Sequence, residues 1–106
     1  MGIIKTEKEI EFLRRAAQIA NSCIPLIEKC LKETNITERE LARRIRRKIN
    51  LQGADLAFQT LVASGERGSK FHPYPHTSNN IISGIGFVDF GARYKGYCSD
   101  VTVPFI

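Results

Sequence analysis

The stretch that decides the fold of this chain reads Val88-Asp89-Phe90-Gly91-Ala92-Arg93-Tyr94-Lys95-Gly96-Tyr97-Cys98-Ser99-Asp100-Val101-Thr102. Apolar, strand-forming residues surround a turn, which predicts a β-hairpin. If residues 93–96 form the turn, Asp89 and Asp100 are direct cross-strand partners. Like charges in that position destabilise a strand pair unless a cation lies between them or one is protonated. Two such carboxylates can hold one or two divalent metal ions, which lie ~3.5–4 Å apart in hydrolytic sites. On spacing alone, a surface hairpin with two solvated acids remains the alternative.

The composition indicates one soluble domain. The chain has 106 residues, of which 42% are hydrophobic and 25% charged, enough for a single modest core. It has no apolar run that could span a membrane, and its start lacks the apolar core of a signal peptide. Cys23 and Cys30 lie about 10.5 Å apart along one predicted helix, too far for a disulfide. We therefore expect a cytoplasmic protein with reduced, mostly buried thiols.

The net charge of +5 is concentrated in a predicted helix, at residues 43, 44, 46, 47 and 48. Such a patch can hold phosphate groups. No aromatic residue interleaves with it and no recognition motif accompanies it. We interpret it as a solvated helix face, and nucleic acid is not an expected partner.

Two capping boxes predict two helices. The first joins Thr6 to Glu9 and precedes a long apolar stripe over residues 7–33, in which Pro25 should kink or break the helix near residue 22. The second starts at Thr37, and its helix should bury the apolar side chains at 41, 45 and 49 before it ends at Gly53.

Three strands follow, over residues 57–63, 87–90 and 97–103, with a loop over 64–80. The predicted fold class is therefore α+β, with two N-terminal helices packed on an antiparallel sheet. The last residues still have the pattern of a strand, which would leave a sheet edge exposed. The chain thus has the pattern of one half of a larger unit.

The chain resembles the pita-bread metallopeptidases, a family that includes methionine aminopeptidases, Xaa-Pro aminopeptidases and Xaa-Pro dipeptidases. The resemblance covers the whole chain but only the first half of the family's catalytic domain. It is closer to the Xaa-Pro group, since "DFGA" and "GYCSD" are typical of that group. The matching segments are Lys5–Glu11, Arg14–Ala20, the "TERELA" start of the second helix, Leu61–Gly65, Asp89–Gly91 and Gly96–Thr102.

The resemblance implies roles for individual residues. It makes Asp89 and Asp100 ligands of a divalent metal pair (Mn, Co or Zn), with Asp100 as the ligand that bridges both ions. It makes His72, which lies seventeen residues before Asp89, the catalytic loop histidine that contacts the substrate or the reaction intermediate. His76 is the second choice for that role.

Some features of the family are missing. Ser83–Gly86 stands where the family usually has Gly-Asp, and Thr102–Phe105 where it often has Thr-Arg-Thr-Phe. The family also takes a histidine and two glutamates from its second half. We therefore expect residues 1–106 to be the N-terminal half of such a domain, with two of five metal ligands, weak or no metal binding and no activity alone.

Three arrangements stay open at this point. A second copy in a homodimer would cover the exposed surface of the half domain. A separately encoded C-terminal half would complete the enzyme and allow it to bind a peptide substrate. Alternatively, the chain is a non-catalytic binding module for protein or nucleic acid.

Overall fold

The computed structural model describes residues 6–70 and 72–106. Residues 1–5 and Phe71 lie outside the described residues. The prediction that the chain starts without a signal peptide concerns these residues, and so does the first residue of the matching segment Lys5–Glu11. The helices pack on one face of an antiparallel sheet, which confirms the α+β prediction. The elements are α1 Glu7–Asn21, α2 Cys23–Leu31, α3 Glu38–Leu51, β1 Asp55–Leu56, β2 Leu61–Ser64, a 3₁₀ turn at Arg67–Ser69, β3 Gly86–Tyr94 and β4 Tyr97–Phe105.

The first predicted helix is interrupted where Pro25 required it. α1 ends at Asn21 and α2 begins at Cys23, so Pro25 is the third residue of α2. The first N–H groups of a helix have no partner within it, so the missing N–H of proline costs nothing there. The capping box of α1 is complete: Thr6 Oγ1 accepts from the Glu9 amide at 3.1 Å, and the Thr6 amide donates to Glu9 at 3.2 Å.

Of the two hydrogen bonds expected in the second capping box, the one to the Thr37 side chain forms. Thr37 Oγ1 accepts from the Glu40 amide at 3.0 Å. The Glu40 carboxylate binds Arg43 and Arg44, because these guanidinium groups lie one turn further along the same helix. The inward face of α3 is as predicted, with Leu41, Ile45 and Ile49 fully buried.

β3 is the centre of the sheet. β4 pairs along one of its edges, while β1 and β2 pair with different parts of the other edge. The predicted strand over 57–63 is therefore wrong in extent, since β2 begins at Leu61. Residues 57–60 bulge between the two short strands, and only the Ala57 amide bonds to β3, at the Gly91 carbonyl.

The two faces of the sheet have different surroundings. Val88, Phe90 and Ala92 of β3 face the helices and are fully buried with the core side chains of α1, α2 and α3. Asp89 alternates with these residues and so lies on the opposite face, which we call the outer face. Thr102 of β4 pairs with Asp89 and shares this outer face.

Candidate metal centre

The hairpin turn lies one residue later than predicted. Tyr94 pairs with Tyr97, and the two central residues, Lys95 and Gly96, have φ values of 52° and 84°. Positive φ at both central residues is typical of a type I′ turn, which matches the twist of the flanking strands. Asp89 consequently faces Thr102, and the predicted direct pairing of the two aspartates is wrong.

The shift preserves the face on which the aspartates lie. Each β3 residue pairs two positions further along β4 than predicted, and side chains alternate with a period of two. Asp100 pairs with Gly91 and is thus a diagonal neighbour of Asp89 on the outer face, about 7–8 Å away between Cα atoms. Thr102 Oγ1 donates to Asp89 Oδ1 at 3.3 Å, which orients that carboxylate.

Gly91 lies two residues after Asp89 on β3 and pairs with Asp100 on β4. No larger residue fits at this position. A Cβ atom at this position would lie 2.6 Å from the Ser99 carbonyl oxygen and 2.9 Å from the Phe58 ring. The glycine also leaves no side chain opposite Asp100. The Asp-x-Gly pattern therefore has a steric cause in the close approach of β4 and of the segment between β1 and β2.

The start of α1 fixes the tip of the hairpin. The Phe12 ring lies 6.0 Å from the Tyr94 ring and 5.9 Å from the Tyr97 ring, between centroids. The Tyr97 hydroxyl donates to Glu9 Oε2 at 3.1 Å, and this hydrogen bond raises the pKa of Tyr97. Glu9, the capping-box partner of Thr6, thus also holds the turn that sets the register of the aspartates.

Both histidines lie on the loop that follows the 3₁₀ turn. His72 is exposed and His76 is half-buried. The His76 carbonyl accepts from the Val62 amide at 2.9 Å, which ties this part of the loop to β2. The backbone is therefore anchored at His76, the second choice for the catalytic histidine. The catalytic role of His72 stays a prediction.

A buried glutamate that the sequence analysis missed holds the same loop. Glu38, at the first position of α3, is 1% exposed. Its Oε2 accepts from the Ser64 amide at 3.0 Å and from the Ser64 hydroxyl at 3.4 Å. Its Oε1 accepts from Arg67 Nε at 3.0 Å, and from the Ser78 amide and hydroxyl at 3.1 and 2.8 Å. One carboxylate therefore joins α3, β2 and both ends of the histidine loop.

Only a weak signal for this cluster is present in the sequence. An acid in the first turn of a helix is ordinary, because it interacts favourably with the helix dipole. Glu38 is buried because the histidine loop brings Ser78 back to the start of α3 and because Arg67 lies beside the carboxylate. Arg67 also donates to the carbonyl of Pro75. These contacts join residues as far as forty positions apart, and no local pattern encodes them.

Two negative findings concern the described residues. Within residues 6–70 and 72–106, no group of three or more His, Cys, Asp or Glu side chains is arranged to hold a metal ion. None of the helices in these ranges is long and apolar enough to cross a membrane.

The architecture is that of a pita-bread metallopeptidase domain. The chain belongs to metallopeptidase family M24, whose family model matches residues 11–106. An uncharacterized peptidase of Methanocaldococcus jannaschii is 37% identical over 108 aligned positions, which cover all of this chain and 30% of that protein.

Solved structures agree with this assignment. The prolidase from Pyrococcus furiosus has a TM-score of 0.84 and 34% identity, over 97% of this chain and 32% of that one. Aminopeptidase P of Escherichia coli, solved as a Glu-to-Ala variant in complex with substrate, has a TM-score of 0.80 and 34% identity, over 95% and 23%. The chain thus spans about a third or less of the length of these relatives.

Proposed function

We propose that residues 1–106 form the N-terminal half of an Xaa-Pro peptidase, a metal-dependent hydrolase that cleaves the bond before proline in dipeptides or at peptide N-termini. The observation that carries the proposal is the placement of Asp89 and Asp100 as diagonal neighbours on one sheet face. The prolidase and aminopeptidase P neighbours support the substrate class. Free cysteines, two of them buried, support a cytoplasmic location, since reducing compartments keep thiols unpaired.

In this proposal Asp89 and Asp100 would hold a divalent metal pair. Carboxylate oxygens suit ions such as Mn²⁺, Co²⁺ and Zn²⁺, and the two side chains lie on the same sheet face, so the donor set fits. When bound, the metal pair lowers the pKa of a water ligand and polarises the scissile carbonyl group. The Thr102 hydroxyl keeps the Asp89 carboxylate oriented for this task.

His72 supplies a hydrogen bond to the substrate or to the charge that develops on it. The cluster around Glu38 supports this role, because it fixes the loop on both sides of the histidine through Arg67 and Ser78. A histidine and two glutamates from a second half would complete the ligand set. Two aspartates alone leave the other coordination positions to water, so we expect weak metal binding and no peptide hydrolysis by this chain alone.

Metal titration of the purified chain tests the ligand assignment. We expect weak, saturable Mn²⁺ binding by electron paramagnetic resonance, which Asp89→Asn and Asp100→Asn each abolish. Asp55→Asn is the matched control, because Asp55 pairs with Arg93 on the same outer face and should leave binding unchanged. Equal loss in all three variants would show general attraction to acidic residues and contradict the assignment.

A hydrolysis assay tests the incomplete site separately. With Mn²⁺ or Co²⁺ added, the chain alone should not hydrolyse Xaa-Pro dipeptides or N-terminal Xaa-Pro peptides. Metal-dependent turnover that disappears in Asp100→Asn would contradict the need for a second half, while it would support the ligand role of Asp100.

A further inference from the structure

A cleft lies between α3 and the segment that leads into β2, on the helix side of the sheet, with Ala42 and Leu56 in its lining. Its volume is about 270 Å³, just below the usual range of small-molecule sites, roughly 300–1,000 Å³. One wall carries arginines of α3, and the other carries polar residues from the β1–β2 connection and the histidine loop. These residues are Arg39, Arg43, Arg46, Gln59, Thr60 and Thr77.

The cleft is strongly positive. Arg39, Arg43 and Arg46 are spaced by four and three residues, which places them on one face of the helix. Arg43 is paired with Glu40 at 2.7 Å. Within the described part of the chain no ion pair joins Arg39 or Arg46 to an acid, and the cleft lining contains no carboxylate. Two guanidinium groups therefore have their donors available to an anion.

A buried hydroxyl provides independent evidence for a ligand. Thr60 lines the cleft and is 4% exposed, and its Oγ1 has no hydrogen-bond partner in the described structure. A buried polar atom without a partner is costly, so native structures rarely keep one unless an ion, water or ligand satisfies it. Its Oγ1 is not itself exposed in the cleft, so it donates to an anionic oxygen only after a rotation about χ1 turns it toward the arginines.

We propose that this cleft binds a small phosphorylated or polyphosphate anion. Arginine forks match phosphate oxygens in geometry as well as charge. Arg39 and Arg46 lie about 10.5 Å apart along the helix axis, which suits more than one anionic group. Among the described residues no aromatic side chain lines the cleft, so nothing there would stack on a nucleobase. The site is separate from Asp89 and Asp100, which lie on the opposite face of the sheet.

The test is a calorimetric titration of the purified, metal-free chain with inorganic pyrophosphate. We expect saturable binding of one pyrophosphate per chain. Arg39→Gln with Arg46→Gln should weaken the affinity at least tenfold. The matched control is Arg47→Gln with Lys48→Gln, which removes the same charge from exposed positions of the same helix outside the cleft; its affinity should stay within about twofold. Melting curves of each variant without ligand establish that it is folded.

Thr60→Val examines the hydroxyl with nearly the same side-chain shape. We expect several-fold weaker pyrophosphate binding together with a melting temperature at or above that of the parent chain, since an unsatisfied polar atom is removed. Equal weakening in the two double variants would show that the general positive field of α3 attracts the anion, and would overturn the proposal. Absence of saturable binding in the folded parent chain would also overturn it.

Discussion

Replacement of Glu38 by glutamine removes the charge at the centre of the loop cluster while it keeps the size of the side chain. The parent carboxylate accepts five hydrogen bonds, from Ser64, Arg67 and Ser78. Glutamine offers one oxygen and places an NH₂ group against donors. Arg67, whose side chain is 13% exposed, would then be a largely buried cation without its counter-charge.

The expected cost is about 3–5 kcal/mol, the range found when one partner of a buried ion pair is removed. For a domain whose total stability is roughly 5–15 kcal/mol, this is a large share. Urea unfolding followed by circular dichroism should therefore show a much lower midpoint with an unchanged slope, because the surface exposed on unfolding is the same.

Glu40→Gln is the control on the same helix. Glu40 also binds two arginines, Arg43 and Arg44, but its side chain is 29% exposed, and exposed ion pairs contribute less than about 1 kcal/mol. Adding Arg67→Met to Glu38→Gln should recover part of the loss, since the unpaired cation is then gone. A Glu38→Gln variant within 1 kcal/mol of the parent chain would refute the structural role assigned to this carboxylate.

Four further expectations follow from the fold. Gly91→Ala should destabilise the hairpin by about 1–3 kcal/mol, because its Cβ would meet backbone and an aromatic ring; a chemical melt that matches the parent would contradict this. A thiol reagent should modify exposed Cys98 rapidly in the folded chain and spare Cys23, where burial raises the thiol pKa; rapid loss of both thiols would be the opposite result. The raised pKa of Tyr97 means that its bond to Glu9 stabilises the fold below pH 10 and that this contribution is lost as the pH rises through the folded-state pKa; Tyr97→Phe should therefore flatten the alkaline loss of stability in a pH series of melts. Light scattering should find a twofold dimer, because the far edge of β4 is unpaired within the described residues; a stable monomer of 11.9 kDa would exclude it.

The sequence by itself determined the local elements. The cap at Thr6, the break before Pro25 and the inward face of α3 depend on residues within a few positions of one another, and all three appear as predicted. The family also followed from the sequence, because Asp89–Gly91 and Ser99–Thr102 are contiguous motifs. Alternation along the strands placed both aspartates on one face for the predicted four-residue turn, and the observed turn keeps them there because it changes the pairing by two positions.

Only the tertiary structure decided the register and the loop. A turn over 93–96 and a turn one residue later fit the same residues, and the choice depended on two positive φ angles that match the twist of the sheet. The burial of Glu38 required Ser64, Arg67 and Ser78 to meet around one carboxylate, although they come from three separate segments. The cleft beside α3 likewise forms where α3, the segment between β1 and β2 and the histidine loop meet. Contacts of this kind arise from the packing of distant segments, and no spacing within a single element specifies them.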